Sequence, residues 1–336
     1  MRYRELGKTH LRISEIGFGC GNLGGLMVRG SYEDQIRAVQ QAINLGVNYF
    51  DTAAQYGDGR SETNLGRVLQ ELQPQNVVVA TKVGLRPEDL GDVRGAIHQS
   101  LTDSLSRLSR NSVDVFLLHS QIALSRGGFR SGTLGVEDVL GEDGIADIFD
   151  ELRAQGLVRF IGLTGLGETA ALHQIVASGR FDMIQVYYNL LNPSAGIAVP
   201  AGFIGHDFKL LLEETSENEM GVAVIRVLAG GALGGKVARQ GYAAPRLRNA
   251  LVDGAEYEAD EERATKLRFL IADEIRSLPQ AGIRFALMHP AVSTILVGFS
   301  NLLQLKEAVS CSVEAPFPKA RLNDLLDLWA TDFGRT

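Results

Sequence analysis

Cysteine is almost absent: Cys20 and Cys311 are the only two in 336 residues. They lie far apart with no CxxC spacing, which excludes a disulfide framework and a thiolate metal site. Each is expected as a small buried hydrophobe. No apolar run approaches the ~20 residues of a membrane helix, and Met1-Arg2-Tyr3-Arg4-Glu5 lacks the apolar stretch of a signal peptide. The expectation is a protein of the reducing cytoplasm, with no membrane partner. Lys and Arg form no cluster and the net charge is −7, which argues against nucleic acid as a partner. No Ser/Pro-rich or charge-run linker divides the chain, so residues 1–336 are expected to form a single domain. There is no HExxH, no P-loop and no nucleophile elbow. The small residues from Gly19 to Gly25 do not make a GxGxxG opening a helix, so no dinucleotide fingerprint of the open-sheet type is present.

What the chain has in quantity is alternation. After a hairpin pattern over Tyr3–Ser14, a short apolar run over Glu15–Gly19 begins a series of strands and helices. Strands are predicted at Asn48–Phe50, Val77–Lys82, Val113–His119, Val158–Thr164, Met183–Val186, Gly221–Ile225 and Val292–Val297. Their near-continuous apolar, β-branched character marks strands covered on both faces. Between them, helical spacing predicts Tyr32–Leu45 capped by Ser31, a helix over Asn64–Leu72 started by Ser61, then Val93–Leu108, Ile145–Gln155, Glu168–Ser178, Phe208–Glu217, Ala259–Leu278, Gln280–Met288 and Leu302–Ala308. Eight strand–helix units in this length point to an α/β fold, a closed (β/α)8 barrel, ahead of a doubly wound sheet. Added to it are the N-terminal β-hairpin cap and an extra C-terminal helix over Phe317–Phe333, with Leu322, Leu325, Leu326 and Trp329 facing the barrel. The stretches 120–142 and 230–256 read as long loops.

Asp51, Lys82 and His119 each end a buried strand, on three consecutive strands, and Tyr56 follows Asp51 on the loop. Singly, such residues are ordinary: a turn cap, a snorkelling lysine, a hydrogen-bonded histidine. In a barrel all four converge on the C-terminal mouth, the face that carries chemistry. A buried Lys and Asp hold each other charged, and an ammonium beside a phenol pulls the phenol pKa down from about 10. The expected outcome is a tyrosine competent in proton transfer, with His119 aiming a substrate oxygen. With no nucleophile present, acid–base machinery of this kind fits protonation of an oxygen while a cofactor delivers hydride.

At this point the chain resembles the aldo-keto reductases over nearly its whole length. Phe50-Asp51-Thr52-Ala53 with Tyr56, then Thr81-Lys82, then Leu117-Leu118-His119 match that family's Asp-Tyr-Lys-His tetrad in order. The resemblance implies a soluble oxidoreductase using NADP(H) or NAD(H) on a small-molecule carbonyl or sugar. It implies Thr164 and Gln185 at the nicotinamide amide, with Thr164-Gly165 where the family usually has Ser-Asn. Arg226, Leu228 and Gly230 fall on the loop over the pyrophosphate, with Arg226-Val227 replacing Ser-Pro. Gly298, Ser300, Gln304 and Glu307 fall around the adenosine, and Gln304 stands where members that grip a 2′-phosphate often carry Arg. Three other activities stand beside a carbonyl reductase: an aldose dehydrogenase working oxidatively, a cofactor-binding regulatory module with little turnover, and a lyase using Lys82 as a Schiff-base amine.

Overall fold

A computed structural model describes residues 1–129, 132–234, 241–244, 257–272 and 274–335 of the chain. Strands β1 (Tyr3–Glu5) and β2 (Arg12–Ser14) make the antiparallel hairpin, turning through Gly7–Thr9. Then come β3 (Ile16–Gly19), β4 (Tyr49–Asp51), β5 (Val78–Val83) and β6 (Val113–Leu118), a short pair β7 (Ile122–Ala123) and β8 (Leu134–Gly135), and β9 (Val158–Gly165), β10 (Met183–Tyr187), β11 (Gly221–Ile225) and β12 (Thr294–Gly298). Strands β3, β4, β5, β6, β9, β10, β11 and β12 pair in parallel in that order, and β12 returns to β3 to close the barrel. The helices are α1 (Leu26–Arg29), α2 (Tyr32–Asn44), α3 (Arg60–Leu72), α4 (Val93–Leu108), α5 (Val136–Leu140), α6 (Ile145–Ala154), α7 (Thr169–Ala177), α8 (Leu211–Glu217), α9 (Tyr257–Lys266), α10 (Leu278–Met288), α11 (Leu302–Ser310) and α12 (Arg321–Ala330).

The two-residue period of a strand divides the apolar residues into two cores. Tyr49, Ala80, Val115, Leu117, Met183, Ala223 and Leu296 fill the lumen, with Leu6 and Ile13 of the hairpin closing it from below. Residues of opposite parity, among them Phe50, Val79, Phe116, Leu118, Ile184 and Val224, pack outward against the helices. Continuing the inward series two residues further along each strand reaches Asp51, Lys82, His119, Thr164 and Gln185. The polar layer is therefore a consequence of strand parity.

Several local expectations are corrected. Ser61 does not cap a helix: α3 starts at Arg60 behind Gly59, whose φ of 83° suits glycine, and the Ser61 hydroxyl donates to the Cys20 carbonyl. The helix expected over 259–278 runs only to Leu270, and the next helix, α10, begins at Leu278, capped by Ser277 and holding Pro279 in its first turn. The stretch 120–142 contains β7, β8 and α5, with residues 130 and 131 outside the described set. Of the stretch 230–256, residues 235–240 and 245–256 lie outside it too. On α12, Leu325 and Trp329 are buried, Leu322 is partly covered and Leu326 faces solvent. Both cysteines are buried and free, as expected.

Candidate active site

Lys82 is the centre of the mouth. Its ammonium, fully buried, donates to Asp51 Oδ1 at 2.6 Å, to the Thr52 carbonyl at 2.7 Å and to the Tyr56 hydroxyl at 3.3 Å. Three partners match the three N–H donors of an ammonium, which is what lets a lysine stay charged away from water. The Thr52 carbonyl is a ligand sequence reasoning missed, since a backbone acceptor leaves no trace in residue identity. Tyr56 and His119 are less buried than Asp51 and Lys82, and their rings meet edge to face with centroids 5.7 Å apart. The four predicted residues are thus together, charged pair below and phenol with imidazole above.

Electrostatics modify the expectation for Tyr56. Burial raises its pKa, and the opposing pull of Lys82 does not overcome that rise. The phenol is not acidified, as the sequence suggested, but held protonated. Burial is the larger cause, and the carboxylate that engages the ammonium adds its own opposing field at the phenol. Lys82 is raised despite its burial, because Asp51 and Tyr56 favour the cation. His119 is pushed down to about 3, first by burial and then by the charge of Lys82, so its imidazole is neutral near pH 7.

Two polar atoms at the mouth, His119 Nδ1 and Thr164 Oγ1, are buried without a hydrogen-bond partner among the described residues. Such atoms cost free energy unless a ligand meets them, so the donor and acceptor set suits a polar ligand such as an amide and a carbonyl. Gln185 pairs in register with Thr164 and sends its Nε2 across the barrel to Asp51 Oδ2 at 2.5 Å. Gly165 is constrained: a Cβ there would lie 2.8 Å from Ile184 Cδ1 and 2.9 Å from the Gln185 carbonyl. An Asn side chain does not fit this backbone.

The remaining cofactor candidates lie on the loops after β11 and β12. Arg226 has a φ of 57° and its carbonyl accepts from Asn189. Its charge is felt by Tyr56 and Tyr187. Burial lowers its pKa. Leu228 begins a turn that its carbonyl closes through Gly231 N, and Gly230 takes a φ of 67°. Gly298 abuts Gly24 of the β3 loop, while the Ser300 amide and hydroxyl both donate to Gln304 Oε1. Glu307 bonds the Ser277 hydroxyl at the start of α10, so its carboxylate is already engaged. Two further features escaped the sequence. Phe129 and His206 meet edge to face with centroids 5.9 Å apart, joining the stretch after β6 to the stretch after β10. Tyr242 is held to the β3 side by Arg29 on its carbonyl and by Asp34 on its hydroxyl. Both join positions far apart in sequence, and neither carries a spacing signal.

Comparison with known proteins agrees with this geometry. L-galactose dehydrogenase of Arabidopsis thaliana is 28% identical over 318 residues, covering 93% of this chain and 88% of that protein. D-threo-aldose 1-dehydrogenase of a Pseudomonas species is 27% identical, covering 91% and 92%. Among solved structures, an aldo-keto reductase from Bacillus halodurans in its holo form superposes with a TM-score of 0.71 at 23% identity, covering 98% of this chain and 96% of that one. The sequence profile of the Aldo/keto reductase family matches residues 15–330. The chain belongs to the aldo/keto reductase family, and with it to the NAD(P)-dependent oxidoreductases.

Proposed function

We propose that this single domain reduces the carbonyl of a small aldehyde, ketone or sugar, with Tyr56 as the general acid. When bound, the nicotinamide supplies the hydride. Lys82, kept cationic by Asp51, stabilises the phenolate as Tyr56 gives up its proton, and neutral His119 fixes the direction of the substrate oxygen. Thr164 and Gln185 would hold the nicotinamide amide. Arg226, Leu228 and Gly230 would lie over the pyrophosphate, and Gly298, Ser300, Gln304 and Glu307 near the adenosine. Two free, buried cysteines suit a reducing cytoplasm.

The observation that carries this reading is the Lys82 ammonium 2.6 Å from Asp51 and 3.3 Å from the Tyr56 hydroxyl. A phenol so placed serves both directions, as acid for reduction and, once deprotonated, as base for oxidation. The names of the two sugar-oxidising relatives favour an aldose as the second substrate class, used oxidatively. The test is Tyr56→Phe assayed with NADPH and NADH against aldehydes, and with NADP+ and NAD+ against aldoses. Turnover should fall by about three orders of magnitude while dinucleotide binding, followed by quenching of Trp329 and tyrosine fluorescence, stays within about twofold. Undiminished turnover would remove Tyr56 from the chemistry.

A further inference from the structure

We infer that Gln185 is a positioning residue for proton transfer, holding Asp51 so that Lys82 stays cationic under Tyr56. The inference rests on the reading of Tyr56 and Lys82 as the acid–base pair. Strand β10 lies four strands from β4 in the barrel order, so the Gln185 side chain crosses the lumen to reach Asp51. At 2.5 Å from Oδ2 its amide is the shorter of the two contacts to that carboxylate, the other being Lys82 on Oδ1 at 2.6 Å. Asp51 is 3% exposed and Gln185 1%, so acceptor and donor are both withdrawn from the surface.

The amide group has a direction. With Nε2 given to Asp51, Oε1 is the atom left over, and it accepts nothing among the described residues. In this orientation Oε1 is free to accept from a ligand amide while Nε2 holds Asp51. The groups facing Asp51 are Lys82 on β5, Tyr56 on the loop after β4, Tyr49 on β4 itself and Cys20 at the end of β3. Burial presses Tyr49 and Cys20 toward their neutral forms, so Lys82 and the neutral Gln185 amide are the groups that stabilise the Asp51 anion. Burial pushes Asp51 upward and these two oppose it. Loss of either moves the carboxylate closer to taking a proton.

Two variants separate this role from simple cofactor binding. Gln185→Met keeps the length and removes the donor. At saturating NADPH its kcat should drop at least about tenfold, and the acid limb of the kcat–pH profile should move up by about one unit. Gln185→Glu should behave differently, because a protonated Glu donates like Gln and an ionised one repels Asp51. Its activity should be retained at low pH and fall as pH rises. If Gln185→Met only weakens NADPH binding, with kcat and the pH profile unchanged at saturation, the residue is a cofactor contact and the inference is overturned. If the wild-type protein turns over no carbonyl or sugar, the proposed function fails separately. Thermal unfolding of the free protein between pH 4 and 7 then decides: burial already holds Asp51 above its ordinary value, and without the Gln185 donor it rises further, so the stability of Gln185→Met relative to wild type should fall as the pH rises across that window, and matching pH dependences would overturn the inference.

Discussion

At the scale of single residues, burial decides more than proximity. His119 shows it most simply. Its ordinary pKa of 6.5 falls to about 3 through burial and the charge of Lys82, so the folded protein refuses a proton that the unfolded chain accepts. The sign follows: stability is fully present above pH 6.5 and is lost as the pH falls toward 3, by about 1.4 kcal/mol per unit. Between pH 6.5 and 5 this comes to ~2 kcal/mol. His119→Asn, which cannot titrate, should lose correspondingly less over that window in urea unfolding. Equal losses would mean that His119 is protonated in the fold. The same weighing corrects Tyr56. Its neighbours were legible, since Asp51, Lys82 and His119 each end an apolar run and Tyr56 follows the first. The direction of its shift was not, because a sequence shows which charges are near and not how far water is excluded. Gln185 was legible as a polar residue inside a strand, while its bond to Asp51 depends on barrel closure.

At the scale of elements, helix α3 is fastened to the barrel wall by charge as well as by Leu65, Val68 and Leu69. Glu62, fully buried, accepts from Arg107 Nε of α4 at 2.6 Å and from the Thr81 hydroxyl of β5. Thr81 points outward where Lys82 points inward, so this bond braces the strand that carries the central ammonium. Arg107→Met leaves a buried carboxylate short of its partner. It should destabilise the protein on the order of 2 kcal/mol in urea unfolding, Arg107 being partly exposed. The double variant Glu62→Gln with Arg107→Met should recover much of that loss, and failure to recover would show that packing, not charge, is at stake. Elements with strong periodicity were readable to within a few residues, such as α4 and β6. Those set by a backbone turn were not: Gly59 rather than Ser61 begins α3, and the helix read as running to Leu278 ends at Leu270, ahead of the Ser277 cap of α10.

At the scale of the whole molecule, the barrel has a floor and a mouth with separate duties. The floor is the hairpin, whose Arg4 joins β1 to the far end of the chain. Its guanidinium donates to Glu15 at 2.7 Å, to the Val292 carbonyl at 2.7 Å and to the Leu287 carbonyl at 2.8 Å. Leu287 lies in the last turn of α10, where carbonyls lack helical partners, so Arg4 both caps that helix and locks the hairpin under the lumen. Glu15 completes the knot with Arg2 and the Ser312 hydroxyl. None of these atoms belongs to the layer formed by Asp51, Lys82, His119 and Gln185, which sits at the opposite ends of the strands. Arg4→Met should therefore lower stability by about 2 kcal/mol, from the carbonyls and the carboxylate left without a donor, and leave kcat and KM unchanged at a temperature where the variant is folded. A fall in kcat in the folded variant would mean that strain at the floor reaches the mouth, and that the parity of the strands does not isolate the two ends.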